Sequence, residues 1–355
     1  MLLMVHVMLD RNENQYGPSA GCYQVLRNAD QGLLSLYSRA YTSGKKSELS
    51  ARLARLFDLP ENRVLLSYGS EDMLKQAVHC YLHPGETLLL PRQSWWYYKS
   101  VAAEVQGKQI AYELRKQKDR FAYDADEIIH LYDLHHPKVI LIASPNNPTG
   151  NSIDSPTLGR LTEHCTNSVI VLDQAYHGFS EANDEDLKTL LSSHPSVVVL
   201  RTFSKYYALA GLRIGYACVG DGLSRLIAYS ARYLGYNRLS EEIALAALDE
   251  EPYYRSISRR MREDKEMLYA IFSSIDGFTI FRSEANFVLI RFPVGMKTYL
   301  QEGLSQNGVI VKFLDDSGLT DCMRITIGTR EQNGLVVAAF QKLMNNVHTL
   351  APTHA

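Results

Sequence analysis

The chain has 355 residues, of which 46% are hydrophobic and 21% charged. That is enough apolar material for a large core spread over two or three domains of ordinary size, and it excludes a chain disordered throughout. Its 37 Lys and Arg against 39 Asp and Glu leave a net charge of −2, so there is no general electrostatic footprint for nucleic acid or an anionic membrane, and any bound anion must be held by local geometry.

In chain order, residues 1–9 are apolar but short, lack a basic flank and run straight into Asp10-Arg11-Asn12-Glu13. They read as an opening strand or arm over residues 5–9, not as a signal peptide. Through the middle, apolar runs alternate with helix-length stretches. The predicted strands are residues 64–67, 87–90, 109–112, 139–143, 169–172, 197–200 and 214–219; helices are predicted at 71–82, 96–105 and 156–165, among others. Continuous apolar strands separated by helices specify a mostly parallel sheet covered on both faces, in one large α/β domain. The last hundred residues differ. Residues 250–275 form one long charged, periodic helix, 286–292 and 323–327 are strand-like, and a final helix lies near 334–345, which makes a smaller α+β domain. The predicted division is 31–245 for the large domain and 1–30 with 246–355 for the small one.

No run of about 18 apolar residues occurs, so no membrane-spanning helix is expected. The five cysteines (Cys22, Cys80, Cys165, Cys218 and Cys322) form an odd, scattered set, which points to reduced thiols and a cytoplasmic location. No CxxC pair is present, which excludes a zinc ribbon or a thioredoxin motif. His79 and His83 share a helix face but lack a third ligand at sensible spacing, and with His135 and His136 they read as structural or solvated, so no metal site is assigned.

Five segments carry chemistry, each just after a predicted strand. Tyr68-Gly69-Ser70-Glu71-Asp72 leads from a strand into a helix, whose free N–H groups and dipole make a phosphate seat. Taken alone, it is also an ordinary Ser cap with acids in the first turn. Ser94-Trp95-Trp96-Tyr97-Tyr98-Lys99 offers stacking partners for a flat heteroaromatic ligand, or simply core and interface. Ser144-Pro145-Asn146-Asn147-Pro148-Thr149-Gly150 is a rigid loop that aims Asn147, at the kind of strand end where open α/β sheets bind ligands. Asp173-Gln174-Ala175-Tyr176 places a carboxylate to pair with a protonated ring nitrogen and a phenol three residues on; the plain alternative is a helix cap. Arg201-Thr202-Phe203-Ser204-Lys205, followed by Gly211-Leu212-Arg213, combines a lysine able to form a Schiff base with hydroxyls and a guanidinium able to hold phosphate, where an isolated Ser-Lys pair would read as solvated surface.

In this order the five segments resemble the fold-type I pyridoxal-phosphate-dependent aminotransferases of class I/II, and within them the histidinol-phosphate aminotransferase-like branch. The likeness runs from Leu9-Asp10-Arg11-Asn12-Glu13-Asn14 to Met323-Arg324-Ile325-Thr326-Ile327-Gly328. It implies a homodimer with pyridoxal 5'-phosphate as cofactor. Lys205 would be joined to the cofactor and move the substrate proton; Asp173 would pair with the ring nitrogen; Asn147 and Tyr176 would bind the ring's 3′ oxygen, and Trp95 would stack on the ring. Gly69, Ser70, the backbone of Glu71, Thr202, Ser204 and Arg213 would seat the phosphate, with Tyr41 reaching in from the other subunit. Arg324 would take the substrate carboxylate as a fork–fork pair.

The implied reaction is ping-pong transfer of an amino group between an amino acid, or an amino-alcohol phosphate, and a 2-oxo acid, in amino-acid biosynthesis. Two departures bear on the donor. The branch's longer N-terminal arm, whose tyrosine meets the substrate phosphate, has no counterpart, and the Asn-Glu-Asn-Pro motif reads Asn12-Glu13-Asn14-Gln15. Tyr16, Tyr236 and Arg238 can line the side-chain pocket or simply pack, with Asn147 beside them, and a donor with a polar or aromatic side chain is preferred. The alternatives are decarboxylation or oxidation on the same scaffold. A non-catalytic regulator is disfavoured because Lys205 and Asp173 are both present and no length remains for a DNA-binding domain.

Overall fold

The computed structural model describes residues 6–180 and 186–350. Val5 of the predicted opening strand lies outside them. The strands in chain order are β1 (Val7–Leu9), β2 (Val64–Ser67), β3 (Thr87–Pro91), β4 (Lys108–Tyr112), β5 (Arg115–Lys116), β6 (Phe121–Ala122) and β7 (Val139–Ala143). They continue with β8 (Val169–Asp173), β9 (Val197–Thr202), β10 (Gly215–Val219), β11 (Thr279–Phe281), β12 (Phe287–Arg291), β13 (Val309–Phe313) and β14 (Cys322–Thr326).

Seven strands form one sheet in the order β2-β10-β9-β8-β7-β3-β4. β7, β8 and β10 are buried at every position and β9 at all but its last, and this burial on both faces is why β7, β8 and β9 appear in the sequence as unbroken Val/Ile/Leu-rich runs. The sheet is parallel except for β10, which runs antiparallel to both β2 and β9. The α/β class and the mostly parallel seven-stranded sheet agree with the sequence reading, as do helices Ser70–Tyr81, Tyr97–Glu104, Ser155–His164 and Glu251–Ser273 within a residue or two. The final helix is longer than expected, Arg330–Leu350.

A second sheet has the order β1-β13-β14-β12-β11. β1 joins it parallel to β13, pairing Val7 with Val309. Neither β11 nor β13 is anticipated from the sequence, nor is the small β5–β6 hairpin. β11 has three residues, and β13 alternates buried and more exposed positions around Lys312, so neither presents the long apolar run that marks the central strands.

Strand register decides where the loops meet. Ala143 pairs with Asp173, and Asp173 with Leu200, so β7, β8 and β9 end side by side. Gly215 pairs with both Thr202 and Ser67 at the start of the reversed strand β10. The loops after β2, β7, β8 and β9 and the turn before β10 therefore open on one edge of the sheet, where doubly wound folds bind ligands. β14 runs between β12 and β13 and carries Arg324, paired with Leu289 and Lys312.

Candidate active site

Asp173 closes β8 and is 6% exposed. Its carboxylate accepts from the Tyr98 hydroxyl at 2.8 Å and from the Ala175 N–H at 2.9 Å. Burial raises its pKa, and these two bonds only partly oppose the rise. No cation is among its described partners, so among the described residues the buried acid lacks a positive group to pair with. Tyr98, from the aromatic run, is therefore the side chain that holds the acid. Trp95 lies edge-on to Tyr98 at 5.9 Å and is partly buried, whereas Trp96 is 64% exposed.

Lys205 sits in the turn after β9. Its amine donates to the Arg11 carbonyl at 2.9 Å and lies 5.8 Å from the centre of the Tyr176 ring. Burial, with the Arg324 and Arg213 guanidinium groups, lowers its pKa to about 8 against the opposing pull of Glu13. An amine so placed is deprotonated far more often near neutral pH than a free lysine, as a nucleophile or base requires.

Tyr176 is buried. It accepts from Asn12 Nδ2 at 2.9 Å and stands edge-on to Phe287 at 5.1 Å. Burial raises its pKa, while Arg324 and the Asn12 bond lower it. Arg324 donates to Asn147 Oδ1 at 2.5 Å and to the Asp10 carbonyl, and its Nε has no partner among the described atoms. Asn147 is held by a loop whose preceding residue is fixed on both sides: Asn146 Nδ2 donates to the Gln93 carbonyl at 2.7 Å and to Thr149 Oγ1 at 2.6 Å.

The turn after β2 supplies the remaining part. Gly69 caps helix Ser70–Tyr81 at φ 86°, a conformation that favours glycine, and no side chain caps the helix. Arg213 lies close against this turn: a Cβ on Gly69 would come 2.8 Å from the guanidinium. A Cβ on Gly215 would come 2.7 Å from Ser70 N, so β10 lies against the same turn. Thr202 Oγ1 donates to Ser204 Oγ at 2.9 Å, and Arg213 donates to Ser204 Oγ at 3.4 Å. Asp72 turns back to the Tyr68 N–H at 3.0 Å, and the Glu71 carboxylate faces Arg213 at 3.7 Å. A helix N-terminus, two hydroxyls and a guanidinium form an anion seat. With the buried acid and the depressed amine on the same sheet edge, this donor set fits a phosphorylated ring that carries a basic nitrogen.

Other residues lie elsewhere. Tyr16 faces Asp264, Arg260 and Arg330 on the two long helices, and none of its described contacts joins it to Lys205, Asn147 or Arg324. Tyr236 packs edge-on against Tyr68 at 5.4 Å and donates to the Ser230 carbonyl, beside the anion seat and not beside Arg324. Arg238 donates to the Gly32 and Leu36 carbonyls, in keeping with the packing alternative. Tyr41 lies half exposed on turn Ala40–Ser43, its ring 5.4 Å from Tyr233. His79 pairs with Glu104 at 3.1 Å. Asn12 and Tyr98 are the contacts missing from the sequence reading. Asn12 appears there only as part of a motif, and Tyr98 only as one of four aromatics.

This combination recurs in known proteins. The chain is 32% identical over 298 residues to the histidinol-phosphate aminotransferase of Ruminiclostridium cellulolyticum, covering 84% of this chain and 82% of the relative. It is 31% identical over 342 residues to that of Haloferax volcanii, covering 96% and 90%. The crystal structure of histidinol-phosphate aminotransferase from Sinorhizobium meliloti, in complex with pyridoxal-5'-phosphate, superposes with a TM-score of 0.84 at 21% identity, covering 97% of this chain and 92% of that one, and so shares the fold. The family model for aminotransferase class I and II matches residues 6–340, which takes in both sheets and every loop of the site. The chain is therefore a member of the class I and II aminotransferases.

Proposed function

We propose that this aminotransferase uses pyridoxal 5'-phosphate, held on the sheet edge described above, to move an amino group from an amino-alcohol phosphate of the histidinol-phosphate type to a 2-oxo acid. The observation that carries the reading is Asp173, a buried acid with no cation of its own, on the same sheet edge as the depressed amine of Lys205. The relatives' names support the donor, and a donor with an aromatic or polar side chain is the second outcome of the test.

When bound, pyridoxal phosphate supplies a ring that spreads the negative charge left as the substrate Cα loses its proton. Asp173 would keep the ring nitrogen protonated, with Tyr98 keeping Asp173 aimed. Asn147 and Tyr176 would hold the ring's 3′ oxygen, and Trp95 would cover a ring face. Gly69, Ser70, the Glu71 N–H, Thr202, Ser204 and Arg213 would hold the phosphate. The Lys205 amine would anchor the cofactor and, when free, would take the Cα proton and keep it for return. Arg324 would bind the carboxylate of the 2-oxo acid through its guanidinium, whose Nε has no partner among the described atoms.

The protein acts as a homodimer in the cytoplasm. Exposed apolar side chains support the dimer: Leu34 and Tyr37 at 71%, and the contacting pair Tyr233 at 78% and Tyr41 at 50%. Tyr41 then completes the phosphate seat of the second copy. Among the described residues no helix is long and apolar enough to cross a membrane.

Purified protein is given histidinol phosphate with 2-oxoglutarate, and in parallel a panel of amino acids. Glutamate formed from histidinol phosphate supports the proposal, glutamate formed only from aromatic donors moves the substrate, and carbon dioxide without glutamate identifies a decarboxylase.

A further inference from the structure

Lys265 lies in the middle of helix Glu251–Ser273 and is 5% exposed. Its ammonium donates to the Ser283 carbonyl at 2.7 Å and to the Ala285 carbonyl at 3.0 Å, and no carboxylate is among its hydrogen-bond partners. Burying an ammonium on two neutral carbonyls is expensive compared with an apolar side chain of the same length. The cost is explicable if those carbonyls must be held in place.

Three tethers run from the same short segment to the candidate site. Glu284 N–H donates to the Gly150 carbonyl at 2.7 Å, at the end of the loop that carries Asn147. There the two backbones are in close contact: a Cβ on Gly150 would come 2.3 Å from Ser283 Oγ. Asn286 Nδ2 donates to the Asn12 carbonyl at 3.1 Å, and Asn12 Nδ2 in turn donates to the Tyr176 hydroxyl. Phe287, the next residue, flanks both the Tyr176 ring and, at 5.5 Å, the Arg324 guanidinium. The segment is itself pinned by the Tyr269 hydroxyl, which accepts from the Ser283 N–H at 2.9 Å.

We infer that Lys265 is a positioning residue for the site: by clamping Ser283 and Ala285 it fixes the segment that aligns Asn147, Tyr176 and Arg324 relative to one another. The inference rests on the cofactor and substrate roles proposed above. Lys265 touches neither cofactor nor substrate and acts only through the backbone it holds. Lysine serves because one flexible ammonium reaches two carbonyls that lie two residues apart, whereas glutamine has two donors on a shorter stem and methionine has none.

The test uses the holoenzyme with Lys265→Met, Lys265→Gln and Lys265→Arg. For each, the dissociation constant of pyridoxal phosphate is measured by its visible absorbance, kcat/KM by turnover, and the melting temperature separately. Lys265→Met is expected to weaken cofactor binding and to lower kcat/KM by roughly tenfold each, Lys265→Gln to fall between, and Lys265→Arg to restore both to within about threefold. Variants that melt at lower temperature but bind the cofactor and turn over as the parent does would overturn the inference, because Lys265 would then serve stability alone. If Lys265→Met does not fold, Lys265→Gln decides by the same readings. A parent protein that fails to bind the cofactor refutes the proposed function, whereas a parent that binds and a Lys265→Gln that binds equally well refutes only the role of Lys265.

Discussion

Arg324 on the central strand of the smaller sheet and Asn147 on the loop leaving β7 are joined by a hydrogen bond of 2.5 Å across 177 positions of sequence. The bond ties the part of the site proposed to take the carboxylate to the part proposed to hold the ring. Arg324→Lys keeps the charge but loses the planar fork that spans Asn147 and the Asp10 carbonyl. The expected result is a KM for the 2-oxo acid raised by roughly tenfold to a hundredfold, with a smaller change in cofactor affinity. Steady-state kinetics with the acceptor varied measures it, and an unchanged acceptor KM would remove Arg324 from the substrate site.

Tyr98 and Asp173 form a second pair whose energetics can be isolated. Tyr98→Phe removes the 2.8 Å bond to the carboxylate without opening a large cavity. A hydrogen bond to a charged group is worth about 1.5–3 kcal/mol, so kcat/KM should fall by roughly ten- to a hundredfold. Asp173→Asn should cost more, because it removes the charge as well as the acceptor. The double variant should cost no more than Asp173→Asn alone, since Tyr98 works only through that acid. Additive losses would mean that Tyr98 has a separate task.

What the sequence disclosed depends on how local each signal is. Lys205, Asn147, Asp173 and Tyr176 could be singled out because each follows an apolar run, and the register of β7, β8 and β9 then brings those run ends together. Asn12 and Tyr98 could not, because their partners lie 164 and 75 positions away and neither residue type is unusual where it stands. The same limit explains Tyr16. Proximity to the Asn12 motif in sequence suggests the pocket, but the chain turns after Asn14, and the phenol faces the two long helices. The central strands were legible because both faces are buried, whereas β13, with Lys312 exposed in its middle, was not.

Lys205 also leaves a signature in stability. Its folded pKa, about 8, lies below the 10.5 of a free lysine. Below about pH 8 the amine is charged in both states, and the folded protein bears the full cost of burying that charge. As pH rises from about 8 toward 10.5, the unfolded chain holds more protons than the folded one, so stability increases with pH. Lys265, also near 8, acts in the same direction. The buried thiols of Cys165 and Cys322, whose pKa is raised by burial, act in the opposite direction over the same range, so the contribution of Lys205 is read as a difference between parent and variant. From about pH 7.5 to about pH 9.5, at roughly constant ionic strength, the melting temperature of the cofactor-free parent should change more positively than that of Lys205→Met, by about one proton's worth of slope, and the variant should lose the visible absorbance of lysine-bound cofactor. The same pH dependence in parent and variant would show that the amine is not desolvated as described.

The exposed aromatic cluster provides the last test. Tyr41 and Tyr233 pack against each other, yet both remain half exposed or more, and Leu34 and Tyr37 are more exposed than is usual for side chains of this type. A second copy of the chain covering this surface would exclude water from all four and bring Tyr41 to the neighbouring phosphate seat. Tyr37→Asp with Tyr233→Asp buries two charges in that contact, which is costly without partners. The double variant should shift from dimer to monomer by sedimentation and lose cofactor affinity by roughly tenfold or more. Tyr41→Phe should leave the dimer intact and weaken cofactor binding by a smaller factor, about that of one hydrogen bond to a charged group. A monomeric parent, or a Tyr41→Phe protein that binds the cofactor undiminished, would separate Tyr41 from the neighbouring site, because its hydroxyl is the one group of the cluster proposed to cross the interface and reach the phosphate.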